Sequence, residues 1–268
     1  MGRKRLVIHH DDLGGSHAAN MAFADLWESQ AISAGSVMVP CADFPEIVLM
    51  ARGRFGDDLG VHLTLNAEFD ARRWRPLTGV SDNGLTDKDG FFPKTVEEIK
   101  RADPRAVDAE LRAQIDTAMA AGLIVTHLDT HMMTLYEPEF IDIYERLGAD
   151  YGLPIVVARS AVASRGLTEA YAPLFGRLEA RGNPVFDSFI ATPFGIADPQ
   201  PEDYARLLDG LPDGLSFGAF HFTTHGDIED FAHDASTRIG DYRVFASGTV
   251  KRLAAERGIE IVGMKGLH

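Results

Sequence analysis

Short apolar runs alternate with longer amphipathic stretches along the whole chain. The short runs predict strands at residues 5–10, 35–39, 60–65, 124–129, 154–158, 185–190, 216–221 and 259–262. The longer stretches predict helices at 17–30, 44–52, 104–121, 137–151, 167–180, 201–208 and 242–257. In residues 104–121, Val107, Leu111, Ile115, Ala118 and Met119 fall close to a helical period, and Gly122 offers a stop. Strands that alternate with helices predict βα units around a parallel sheet. About eight strands in one unit point to an α/β fold closed as a single distorted (β/α) barrel, TIM-barrel-like, spanning residues 1–268.

Residues 66–103 break the alternation. They hold Trp74, Pro76, Asn83-Gly84, Asp89-Gly90 and Pro93 with no sustained period. A stretch of that length without regular structure is usually functional. It reads as an irregular insertion near the site.

Composition narrows the function classes. The net charge is −14, and the only basic block is "GRKR" near the start. Nucleic acid is therefore not an expected partner, and polyanionic substrates are disfavoured. Cys41 is the single cysteine, which excludes an intrachain disulfide and a cysteine metal cluster. No long apolar stretch predicts a membrane span, and no leader pattern is visible, so a cytoplasmic protein is expected. A homodimer is allowed.

Polar residues punctuate four predicted strand ends. They are "VIHHDDLGGS" with His9, His10, Asp11 and Asp12; "GVHLTL" with His62; "VTHLDTHMM" with His127, Asp129 and His131; and "GAFHFTTHGD" with His221 and His225. The strand-end rim is where barrel enzymes assemble their sites. Each cluster alone has a bland explanation: adjacent Asp residues before Gly-Gly often form a turn or cap, and a lone strand His is more often structural. Together they are hard to explain as decoration, because buried polar groups without partners are costly.

His127 and His131 converge whether that segment is strand or helix. Two histidines and a carboxylate make a mononuclear metal site with open positions. A second carboxylate beside it can act as general base. Adjacent aspartates can thus divide these roles, provided the Gly14-Gly15 turn bends both inward.

The quoted segments, in this order, resemble the signatures of the YdjC-like carbohydrate deacetylases, the family of diacetylchitobiose deacetylase. The tail "STRIGDYRVFASGTVKRLAAERGIEIV" is similar to that family's last helix and strand. The resemblance implies a distorted (β/α) barrel and metal-dependent removal of an N-acetyl group from an amino sugar or short N-acetylated oligosaccharide. By position it implies Asp12, His62 and His131 as ligands of one divalent ion, Mg or Zn. It implies Asp11 as general base and His221 as general acid. His10, His127, Asp129 and His225 are then substrate-contacting or supporting residues, and the partner is a small carbohydrate.

The chain departs from the family pattern at His9-His10 in place of Asn-Ala, at Met132-Met133, and at Thr223-Thr224. Three rivals stand beside this reading. A non-haem Fe(II) oxygenase could use a 2-His-1-carboxylate triad, but the βα alternation argues against it. Another metallohydrolase on the same barrel would act on a different amide or ester. The changed rim allows an impaired sugar-binding relative.

Overall fold

The computed structural model describes residues 2–53, 57–80 and 82–267. Its strands are β1 (Lys4–Leu13), β2 (Ala34–Val37), β3 (Leu59–Leu63), β4 (Val125–Thr130), β5 (Ser188–Ala191), β6 (Gly214–Phe220) and β7 (Ile259–Ile261). They form one seven-stranded sheet in the order β4-β3-β2-β1-β6-β5, and β7 pairs with the first half of β1. Every pairing is parallel. All strands therefore point their C-terminal ends to the same side, where the following loops gather. β1 lies at the centre, and its run Leu6, Val7 and Ile8 is wholly buried, as a parallel strand covered on both faces requires.

The helices are α1 (His17–Glu28), α2 (Phe44–Gly53), α3 (Val96–Ile99), α4 (Pro104–Ala120), α5 (Ile141–Tyr151), α6 (Arg159–Ser164), α7 (Thr168–Ala180), α8 (Pro201–Asp209), α9 (Ala235–Ala246) and α10 (Thr249–Glu256). Ser16 caps α1: its Oγ accepts from Ala19 N at 3.0 Å. In α4 the predicted periodic residues Val107, Leu111, Ile115 and Ala118 face the core, whereas Met119 is exposed. No helix among the described residues is long and apolar enough to cross a membrane.

Three expectations change. The segment 154–158 is not a full strand but makes two parallel bridges, Leu128 to Ile155 and Ala158 to Phe186. Pro154 has no N–H to donate, which limits the ladder there. The predicted helix 242–257 is two helices, α9 and α10, divided at Gly248, whose φ of 74° is left-handed. α9 also starts earlier than predicted and so carries Arg238 and Asp241. Finally, α5 begins only at Ile141, after a 3-10 stretch His131–Tyr136.

The stretch 66–103 has little regular structure, but it is packed. Leu85 and Phe92 are wholly buried, and Trp74 Nε1 donates to the Asn66 carbonyl at 2.7 Å. α3 within it closes a capping box between Thr95 and Glu98.

Candidate metal centre

A strand that simply alternated would send Asp11 and Asp12 to opposite faces. The backbone turns at Asp12 itself, where φ is 65°, and the register against β2 shifts between His10 and Leu13. A non-glycine residue in the left-handed region is uncommon and concentrates at functional sites. Both carboxylates consequently line one cleft. The Gly14-Gly15 turn follows this bend rather than creating it. Gly15 N donates to Asp12 O at 3.0 Å, and a Cβ on Gly15 would lie 2.9 Å from that oxygen.

Three donors converge in the cleft. Asp12 Oδ1 lies 3.3 Å from His62 Nε2 and 3.1 Å from His131 Nδ1. All three residues are buried, and their ligand atoms lie within 4.8 Å of one another. His62 comes from β3; His131 follows β4, where Met132 and Met133 both take φ of 53°. That pair of left-handed residues turns the chain sharply directly after His131.

The far nitrogens of both rings are held by carboxylates. His62 Nδ1 donates to Asp129 Oδ2 at 2.7 Å, and His131 Nε2 donates to Glu68 Oε2 at 2.9 Å. Each imidazole thus presents its lone pair to Asp12's side, as metal-binding histidines do.

Electrostatics agree with a cation site. Burial opposes charge on His131, but Glu68 and Asp12 raise its pKa to about 9. Burial likewise opposes charge on His62, yet Asp129 and Asp12 raise its pKa well above the usual value. Burial alone would raise Asp12; the rings of His221, His131 and His62 hold it well below the carboxylate range instead. The cluster attracts positive charge, and a divalent ion competes with protons for the same lone pairs. The residues therefore fit a metal ion.

Asp11, His221, Phe189, Phe194 and Phe217 line the rest of the cleft, which encloses about 410 Å³. His221 follows β6 and turns Nε2 toward Asp12 Oδ2 at 3.7 Å. Its Nδ1 lies 3.1 Å from Thr192 Oγ1, and that hydroxyl donates to Asp241 at 2.5 Å. Thr192 therefore accepts from the ring, which keeps Nδ1 protonated. Burial lowers the pKa of His221, partly offset by Asp12. Asp227, its neighbour in sequence, is engaged elsewhere, by Arg72 and the first turn of α1.

Other predicted residues lie away from the cleft. His225 lies beyond the end of β6, with its side chain 79% exposed and paired with Glu229. His10 is wholly buried between Phe23 and Phe222, and its Nε2 donates to the Phe222 carbonyl at 2.9 Å. His127 is wholly buried in β4, behind the cleft. Neither His10 nor His127 reaches the cleft. Asp129 does line it. Of the altered rim, Met132 and Met133 face the cleft, whereas Thr223 is buried beside it. A larger cavity, about 580 Å³ beside Glu145, Arg181 and Asn183, contains none of the clustered residues.

Sequence reasoning missed Glu68, Thr192, Arg238 and Asp241. Arg238 Nη1 donates to Asp12 Oδ2 at 2.8 Å. Glu68 lies in a stretch with no period, and the other three come from loops or helices remote in sequence. The Arg-Ile-Gly-Asp of the tail is a visible signal for Arg238 and Asp241 alone.

The profile of the YdjC-like protein family matches residues 5–256. A carbohydrate deacetylase of Thermus thermophilus is 34% identical over 95% of this chain and 91% of its own length. One from Geobacillus stearothermophilus is 23% identical over 96% of this chain and 95% of its own. In structure, a protein of Enterococcus faecalis V583, described as a cellobiose-phosphate cleavage protein, superposes with a TM-score of 0.83 over 99% of both chains at 21% identity. The profile runs through the strand ends that carry Asp12, His62 and His131, and on that match and the Thermus relative's 34% identity the chain belongs to the YdjC-like family.

Proposed function

We propose that this protein is a metal-dependent carbohydrate N-deacetylase that hydrolyses the N-acetyl group of an amino sugar or short N-acetylated oligosaccharide to acetate and a free amine. One observation carries the reading: a buried Asp-His-His set that shares a cleft of about 410 Å³ with Asp11 and His221. The deacetylase relatives supply the chemistry it would serve. We also read the sheet as a distorted (β/α) barrel, supported by the bridges from β4 through 154–158 to residue 186.

Asp12, His62 and His131 would hold the ion, and two imidazoles would favour zinc or another first-row metal over magnesium. When bound, the ion acts as a Lewis acid that acidifies water and polarises the acetyl carbonyl. Asp11 accepts the proton of the attacking water. His221, in its imidazolium form with Nδ1–H held by Thr192, donates the proton on Nε2 to the leaving nitrogen as the C–N bond breaks and is left neutral. Asp241 and Thr192 keep that ring turned correctly, while Asp129 and Glu68 orient the two ligand imidazoles. Phe189 and Phe194 offer flat apolar faces to a sugar ring.

The test is acetate release from a panel of N-acetylated sugars by the purified protein, before and after chelation and with Zn²⁺ or Mg²⁺ restored. Acetate that disappears with the chelator and returns with metal supports the reading. No acetate from any N-acetyl sugar, with hydrolysis of another ester or amide, replaces it with a different metallohydrolase.

A further inference from the structure

His9 and His127 are wholly buried behind the metal ligands. Their Nε2 atoms face each other at 2.9 Å. On one side, His9 Nδ1 lies 2.6 Å from Asp11 Oδ1. On the other, His127 Nδ1 lies 2.9 Å from Thr126 Oγ1, which lies 2.7 Å from Asp58 Oδ1. Asp11, His9, His127, Thr126 and Asp58 thus make one chain of hydrogen-bond contacts. The fold makes room for it: a Cβ on Gly60 would lie 2.5 Å from His127 Nε2.

Counting hydrogens shows that this chain needs one proton more than neutral rings and ionised carboxylates supply; on Asp11 or Asp58 that proton would leave His9 with one bare nitrogen, and on His9 it makes an ion pair with Asp11. Each of its four contacts needs one hydrogen between the heavy atoms. With neutral imidazoles and ionised carboxylates, only three are available: one per ring and one on the Thr126 hydroxyl. The Thr126 hydroxyl must serve Asp58, so His127 donates from Nδ1. Asp11 takes the hydrogen on His9 Nδ1. The two Nε2 lone pairs then confront each other in a site without solvent, which is strongly unfavourable. One additional proton satisfies all four contacts.

We propose that His9 is a buried imidazolium, which donates from Nδ1 to Asp11 and from Nε2 to His127 and so positions the Asp11 carboxylate.

The surroundings favour His9 over His127 as the charged ring. Asp11 faces it from its own strand, and Asp129 lies near from β4. On β6 the Phe217 ring lies 4.8 Å away. On β1, Asp12 adds a second carboxylate, whereas His10, bound through Nε2 to the Phe222 carbonyl, stays neutral because burial and the neighbouring His221 and His9 lower its pKa to about 3. For His127, burial and the adjacent His9 push the pKa down to about 3. A metal ion between the rings would suit the lone pairs as well, since His9, His127 and Asp129 lie close enough to ligate one. The 2.9 Å separation is a hydrogen-bond length, however; two imidazoles on a tetrahedral ion at roughly 2.0–2.1 Å sit about 3.3 Å apart.

The consequence for Asp11 rests on its proposed role as base. One oxygen is fixed by the imidazolium, and the other is left for water.

The experiment is ¹⁵N NMR of histidine-labelled full-length, metal-loaded protein near pH 7, assigned with His9→Asn and His127→Asn. The proposal expects both His9 nitrogens protonated and a scalar coupling across Nε2–H···Nε2. A His9 ring with one bare nitrogen overturns it. So does a metal content of two ions per chain that falls to one in His9→Asn. Asn keeps a donor where Nδ1 stood but carries no charge, so His9→Asn should lower kcat at least tenfold with KM and metal content unchanged. Imidazolium signals with an unchanged kcat in this variant would leave the ring state standing and remove Asp11 as base.

Discussion

Arg238 donates to Asp12 Oδ2 at 2.8 Å across 226 residues of sequence, and both side chains are buried. The guanidinium takes one carboxylate oxygen and leaves Oδ1 to face His62 and His131. A second acid, Asp234, accepts from Arg238 Nε at 3.0 Å and holds the arginine in place. Removing one partner of a buried pair strands the other charge, at about 3–5 kcal/mol. Arg238→Met should lower the unfolding free energy of the metal-free protein by that amount in urea titrations. A loss below about 1 kcal/mol would match a solvent-screened pair.

Asp12→Asn, His62→Ala and His131→Ala should each yield protein without bound metal by elemental analysis. Asp11→Asn should keep its metal and lose activity by roughly 10²–10⁴-fold, as expected of a general base. Loss of metal from Asp11→Asn together with its retention in Asp12→Asn would exchange the two roles.

Glu68 holds the far nitrogen of His131 at 2.9 Å. Removing such an orienting carboxylate typically weakens metal binding about 10–100-fold. Glu68→Gln should show that loss in competition with a chromophoric chelator. Unchanged affinity would mean that the ring is fixed by its surroundings alone.

Asp241 is buried, and burial raises its pKa to about 7 against the donors Thr192 and Tyr204. A raised carboxyl binds its proton more tightly in the folded chain than in the unfolded one. Its contribution is fully present below about pH 4 and is lost as pH rises through about 7. The shift corresponds to roughly 4 kcal/mol. Wild type should therefore lose stability relative to Asp241→Asn between pH 4 and 7, measured by denaturation at a series of pH values. A wild type that gains over the variant in this window would mean that its donors stabilise the ionised form.

His221→Ala should abolish the alkaline limb of the activity profile and lower kcat, because its ring lines the cleft. His225→Ala should leave kcat unchanged, because its side chain is 79% exposed on Glu229. A profile altered only in His225→Ala would reverse the assignment of the general acid.

The strand ends that meet at the candidate cleft are legible in the pattern of the chain. Asp12, His62, His131 and His221 each end or closely follow an apolar run, and a parallel sheet carries such ends to one rim. His225 lies outside the cleft because residues 221 and 225 share a face only if the strand continues, and β6 stops at Phe220. His10 lies outside it because alternation turns it into the packing of Phe23 and Phe222.

The alternation of strands and helices, the parallel direction and the strand ends that bear chemistry follow from the chain's own pattern, because periodicity is a local property. Which charges balance each other follows from the assembled fold. The Glu68 contact from an aperiodic stretch, the Arg238 clamp and the His9–His127 contact each depend on a neighbour far away in sequence. Electrostatic pairing in a buried site is set by distances of a few ångströms through space, and those exist only once the sheet has assembled.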